Sequence, residues 1–279
     1  MKRVRTVLIT GATGGIGQAL CCQFARQGYQ LIITGRNPSR LRGLAHRLSA
    51  TYGIRVRTIG MDLGIKGAAR ELCARLEQMG AVVDVLVNNA GFGLAGLFVE
   101  NSIQQQQEML YVNIHAVTEL CRRLLPGMIE RGWGRILNVA SIGSFVPGPY
   151  NGVYCASKAY VLSLSRALAQ ECRGTGVKVT ALCPGATHTG FAHRAGMERT
   201  LLFRVGVMHP AQVAAKGYRG LMAGRPVVIP GLQNKAACLL SRIAPQKLVT
   251  LSSGAIQMPQ WMKEGKDSPR QREDASYHG

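Results

Sequence analysis

Short, continuously apolar runs alternate with longer stretches of helical spacing along most of the chain. Val4–Thr10, Gln30–Thr34, Val56–Met61, Val83–Asn88, Arg135–Ala140, Val177–Cys183 and Val227–Ile229 read as strands. Ile16–Arg26, Leu41–Thr51, Lys66–Met79, Ile103–Arg131, Val153–Arg173 and Ala211–Met222 read as helices, with Pro126 near the end of the fourth. Strands that are apolar throughout, rather than alternating, are buried on both faces. Repeated strand–helix alternation then predicts an α/β fold built on a doubly wound parallel sheet with right-handed crossovers. No repeat, linker or composition break interrupts this pattern, so residues 1–231 read as one domain. Residues 232–261 read as a helical C-terminal extension, apolar and basic over Leu232–Gln257, and the polar tail 262–279 is expected to be disordered.

Composition narrows this picture. A chain of 279 residues with 47% hydrophobic content can bury a sizeable core. The first residues, MKRVRTVLIT, run straight into a strand with no signal-peptide pattern, and no apolar run is long enough to span a bilayer, so a cytoplasmic protein is expected. The eight cysteines form no CxxC or Cys/His spacing, which argues against a metal site and for reduced, buried thiols. The net charge of +20 is the one oddity. Its arginines are scattered, without basic runs or interleaved aromatics, which favours a solvated basic surface over nucleic-acid binding. For Leu232–Gln257, helices completing the core or a subunit interface are preferred to a membrane-binding role.

The chemistry lies in three places. Gly11, Gly15 and Gly17, within TGATGGIG (Thr10 to Gly17), follow the first strand and open the first helix. Glycine permits the tight turn and the close backbone approach, and the helix start offers a pyrophosphate free N–H groups and a positive dipole end. The second strand ends in LIITGRN, where an acid would bind a ribose 2′-hydroxyl; Gly35 and Arg36 stand there instead, and a guanidinium suits a 2′-phosphate. Asp62 and Leu63 end the third strand, where the carboxylate either accepts from an adenine amine or caps the next helix. Finally, Tyr154 and Lys158 share one helix face, downstream of Ser141 at the end of a strand. A free phenol has a pKa near ~10. An ammonium ~4 Å away is worth about 4 kcal/mol at an effective dielectric of ~20, enough to bring the phenol toward neutrality as an acid or base.

Together these residues resemble the short-chain dehydrogenase/reductase family over about residues 4–230. The motifs are TGATGGIG, Asp62-Leu63, NNAG, Asn113 in VNIHA, Ser141 in NVASIGS, YCASK and PGATHTG. LCPGATHTGF, VVIPG and the apolar extension look most like the DltE-like, NADP-dependent subgroup. The resemblance implies a Rossmann-like, seven-stranded fold, NADP(H) as cofactor, a homodimer or homotetramer, and catalysis by Asn113, Ser141, Tyr154 and Lys158. It extends the dinucleotide site to Thr13, Gly14, Ile16, Asn37, Asn89, Ala90, Gly91, Pro184, Gly185, Thr187 and Thr189, with Tyr154 and Lys158 shared. It implies hydride transfer between the nicotinamide and a carbonyl, with Tyr154 as proton donor and Asn113 positioning a water toward Lys158.

The segment after Pro184 carries His188 and His193, expected as solvent-exposed loop histidines. It also holds Met197, Leu201, Leu202, Phe203, Val205, Val207 and Met208, which form either a lid over a hydrophobic substrate or a helix packed on the core. The competing reading of the whole chain is a catalytically idle dinucleotide-binding regulator or scaffold, which loss of Ser141, Tyr154 or Lys158 would favour; all three are present.

Overall fold

The computed structural model describes residues 3–196, 200 and 206–258. Seven parallel strands, β1 (Thr6–Ile9), β2 (Gln30–Gly35), β3 (Val56–Gly60), β4 (Val85–Asn88), β5 (Gly134–Val139), β6 (Val177–Leu182) and β7 (Val227–Val228), form one sheet in the order β3-β2-β1-β4-β5-β6-β7. The order reverses between β1 and β4, so a crevice opens beyond the strands' C-terminal ends at that point. The apolar runs place side chains on both faces of the sheet, and each face has its own core. Leu8, Ile32, Leu86 and Ile136 pack with Leu72 and Leu120 on one side. Val7, Ile9, Ile33 and Val87 pack with Phe24 and Val213 on the other.

The helices are α1 (Gly15–Arg26), α2 (Pro38–Tyr52), α3 (Ala68–Gln78), α4 (Ile103–Leu110), α5 (Ala116–Glu130), α6 (Gly152–Glu171), α7 (Phe191–Ala195), α8 (Pro210–Met222), α9 (Leu232–Ile243) and α10 (Gln246–Gln257). Two differ from the sequence expectation. The stretch Ile103–Arg131 is not one regular helix: a π-turn, Tyr111–His115, joins α4 to α5 and carries Asn113. The extension is two helices, parted where Pro245 precedes α10. The final three residues of the expected extension, the 262–279 tail and most of the expected lid (Met197, Leu201, Leu202, Phe203 and Val205) lie outside the described residues.

Buried polar contacts fix α6 against the sheet. Asn88 Nδ2 donates to Asn138 Oδ1 at 2.9 Å, and Asn138 Nδ2 donates to Ser165 Oγ at 2.9 Å, so β4, β5 and α6 are tied through fully buried side chains. At the strand N-termini, Asp84 accepts from the Thr6 backbone N–H at 2.8 Å and from Arg3 at 2.6 Å, joining β1 to the start of β4. Unpaired, such groups would cost about 1–3 kcal/mol each, so these contacts specify how α6 sits on the sheet.

Candidate active site

β1 ends at the crevice, and the chain turns through Gly11 at φ +62° into α1. A Cβ on Gly11 would stand 2.8 Å from Ala90 Cα, and one on Gly17 would stand 2.3 Å from the Gly11 carbonyl oxygen. Close packing therefore requires glycine at both positions, and at Gly11 the backbone conformation requires it as well. Asn89 braces this turn: its Nδ2 donates to the carbonyls of Thr10 and Gly11 at 2.9 and 3.0 Å, and its backbone N–H reaches Thr10 Oγ1 at 3.0 Å. No side chain caps α1, which leaves its first N–H groups facing the crevice.

At the next strand end, Asn37 caps α2 by accepting from the Arg40 N–H at 2.9 Å. This brings Arg40 beside Arg36 on the wall of the same cavity. Sequence spacing alone does not mark Arg40, because its place on this wall depends on how the first turn of α2 is capped by Asn37. Thr34, on the same wall, holds a buried Oγ1 with no partner among the described residues. Asp62 does not cap α3, whose N-cap is Gly67; its Oδ1 accepts from the Gly64 N–H at 2.9 Å and holds the turn after β3 against the cavity.

One cavity of about 860 Å³ runs from this turn to the C-terminal helices. Every residue read from the sequence as holding the dinucleotide stands on its wall, as do Ser141, Tyr154 and Lys158. Asn113 does not. It is fully buried behind Gly91, where its Oδ1 accepts from Phe92 N–H at 3.3 Å and its Nδ2 donates to Phe92 O at 3.1 Å and Ser157 Oγ at 2.9 Å. A Cβ on Gly91 would lie 2.7 Å from Asn113 Oδ1 and 3.2 Å from Lys158 Nζ, so the two side chains converge on one glycine. The π-turn makes this possible by shifting the helix phase so that Asn113 faces α6. His188 is exposed, as expected of a loop histidine.

Ser141 ends β5 and caps a 3-10 turn, Ile142–Phe145, with its Oγ accepting from Gly143 N–H at 3.0 Å. Ser144 Oγ donates to the Lys158 carbonyl at 2.8 Å, which locks this turn to α6. Lys158 is buried and donates from Nζ to the Val139 carbonyl at 2.9 Å. Nζ sits 5.8 Å from the centre of the Tyr154 ring, which in turn packs on Phe191 with ring centres 5.5 Å apart.

Electrostatics here correct the sequence expectation. Burial raises the Tyr154 phenol well above its ordinary value, and only a hydrogen bond from Ser141 pulls it down. Burial also lowers Lys158 to about 8. Lys158 Nζ donates to Val139, and burial is the largest influence on both groups. The Tyr154 phenol is therefore neutral near pH 7. Burial pushes the cavity thiols Cys155 and Cys238 up to about 11, which makes them poor nucleophiles.

The far wall of the cavity is apolar: Phe145, Phe191, Leu240, Leu248, Leu251 and Ile256 line it, the last four from α9 and α10. Gln257 fastens α10 beside the start of α6, with its Oε1 accepting from Asn151 Nδ2 at 3.5 Å and facing Cys155 Sγ at 3.8 Å.

Residues 5–199 match the family model described as short chain dehydrogenase. Among curated proteins, the chain is 37% identical over 181 residues to the NADP-dependent 3-hydroxy acid dehydrogenase YdfG of Salmonella typhimurium, covering 64% of this chain and 71% of that one. Among solved structures it is similar to a short-chain dehydrogenase from Sphingobium yanoikuyae in complex with NADPH, with 31% identity, TM-score 0.76, and 87% and 97% of the two chains covered. It is also similar to a bulky-bulky ketone specific alcohol dehydrogenase from Comamonas testosteroni, with 29% identity, TM-score 0.73, and 88% and 96% covered. The glycine turn, the buried Tyr–Lys pair and the match over most of the domain lead to one conclusion: this chain belongs to the short-chain dehydrogenase family, and is an oxidoreductase that acts on CH–OH/C=O with a nicotinamide dinucleotide.

Proposed function

We propose that the protein is an NADP(H)-dependent reductase of bulky, apolar ketones or aldehydes, with Tyr154 as the proton donor. The observation that carries this reading is a single cavity with a glycine turn and two arginines at one end, Tyr154 in the middle and an apolar wall of leucines at the other. The uncapped start of α1 suits a pyrophosphate, and Arg36 with Arg40 suits the extra phosphate of NADP(H) where Gly35 leaves no acid to repel it. The NADP-dependent Salmonella relative and the NADPH-bound Sphingobium structure support the same choice.

When bound, NADPH supplies the hydride. Ser141 accepts from Gly143 N–H and directs its O–H toward Tyr154, so a carbonyl oxygen bound between the two hydroxyls can take over that donor. Tyr154, kept protonated by burial, gives its proton to that oxygen as negative charge develops there. Lys158 stabilises the tyrosinate left behind and, with a pKa of about 8, is able to return a proton to it. Asn113 is a positioning residue that holds Ser157 and the Phe92 backbone so that Lys158 stays in place.

The apolar wall favours large hydrophobic substrates, since each Å² of apolar surface removed from water contributes about 25 cal/mol. The bulky-ketone specificity of the Comamonas neighbour supports this. All eight cysteines are free thiols, which supports a reducing, cytosolic compartment. The outer faces of α5 and α6 expose Ile129 and Tyr160, a surface suited to isologous pairing in a homodimer or homotetramer.

NADPH oxidation against a carbonyl panel tests the function. Aryl and long-chain alkyl ketones should show at least about tenfold higher kcat/KM than aldoses. Tyr154→Phe should lower kcat by ~10²-fold or more while NADPH binding persists; retained turnover would refute the proton-donor role. Arg36→Ala should weaken NADPH binding about tenfold or more and leave NADH nearly unchanged, as isothermal titration would show. Light scattering at micromolar concentration should give the mass of a dimer or tetramer, and a fully active monomer would rule out the pairing.

A further inference from the structure

The C-terminal helices do more than wall the cavity. Their inward side is buried, with Cys238 and Ser241 from α9 and Val249, Ser253 and Gln257 from α10 packed against the domain. Their outward side is a stripe of large apolar residues. On α9, Leu232, Leu239, Leu240 and Ile243 recur at helical spacing, with exposures of 82%, 61%, 59% and 74%. On α10, Leu248 and Leu251 continue it, equally uncovered among the described residues. Monomeric proteins rarely leave a contiguous apolar face of this kind open.

Charge distinguishes the possible occupants. Residues 232–257 contain no Asp or Glu, while Lys235, Arg242 and Lys247 flank the stripe, on a chain whose net charge is +20. A second copy seated here about a two-fold axis would set these cations against their own images. A nucleic acid would match the charge but leave the leucines wet. An anionic lipid surface satisfies both, with leucines entering the acyl boundary and lysines meeting the headgroups. No helix among the described residues is long and apolar enough to cross a membrane, so the contact is an interfacial one.

We propose that the α9–α10 face docks this protein onto the surface of an anionic bilayer. Leu240, Leu248 and Leu251 stand both on this face and on the cavity wall, so the cavity mouth opens where the lipid would lie. If the proposed apolar-ketone activity holds, docking would let a substrate dissolved in the bilayer reach Tyr154 without crossing water. The docking itself does not depend on that activity.

Vesicle flotation of the full chain tests it, using phosphatidylcholine vesicles with and without roughly 30% phosphatidylglycerol. The protein should float with the anionic vesicles, remain behind with the neutral ones, and be released by roughly 0.5 M salt. The double variant Leu239→Asp/Ile243→Asp lies off the cavity wall. It should keep its melting temperature and its turnover of a water-soluble ketone, yet lose vesicle binding at least about tenfold. Should that variant fail to fold, Lys235→Glu/Lys247→Glu, at exposed positions, should lose the same binding. Three results would overturn the proposal: no flotation of the wild type, equal flotation with both vesicle types, or undiminished flotation of a folded variant. A fall in oligomer mass for Leu239→Asp/Ile243→Asp, measured without lipid, would also overturn it, by making the face a subunit interface.

Discussion

A buried ammonium held by one strand-end carbonyl is the constraint on which the site depends. Lys158 donates from Nζ to Val139 O at 2.9 Å while almost wholly removed from water. A charge placed there is costly unless its surroundings hold it rigidly, and several contacts do so. Ser144 fixes the lysine's own backbone carbonyl, Asn113 fixes Ser157 beside it, and Asn138 fixes Ser165 two turns farther along α6. Each of these partners comes from a different element, so the parallel sheet, the π-turn and the 3-10 turn all converge on one face of α6. The low-dielectric setting that makes the lysine expensive also keeps the neighbouring phenol protonated.

Much of this was legible in the sequence, for physical reasons. The central strands are buried on both faces and mainly apolar, so they announced themselves as runs more plainly than the half-exposed edge strands β3 and β7, and the glycine turn was readable because only glycine fits against Ala90. The Tyr154/Lys158 pair was readable because i,i+4 spacing fixes a shared helix face whatever the tertiary context. The sign of the phenol's shift was not. It depends on the depth of burial and on where Nζ spends its hydrogen bond, and neither leaves a mark in local spacing. The π-turn at Asn113 was equally hidden, since one extra residue in a turn does not disturb an apolar pattern averaged over a long helix.

The C-terminal extension shows the same limit from another side. Its composition, apolar and basic without acid, was plain, but which residues faced inward depended on how Gln257 and Cys238 pack. In the structure the extension lines the apolar end of the cavity and also presents leucines outward. The fold thus divides one cavity between two sets of elements: strand ends and the glycine turn line one end, and the late helices line the other.

The central claim is that burial makes Tyr154 a neutral acid and leaves Lys158 titrating at about 8. Its most direct test is the pH dependence of kcat/KM for NADPH-driven ketone reduction, which reports groups of the free enzyme. Protonated Lys158 supports proton delivery, so the rate should hold steady through neutrality and fall as pH rises through about 8, and Lys158→Met should abolish that inflection along with most of the rate. A reduction rate that instead climbs across the same range, or an inflection that survives in Lys158→Met, would contradict the account.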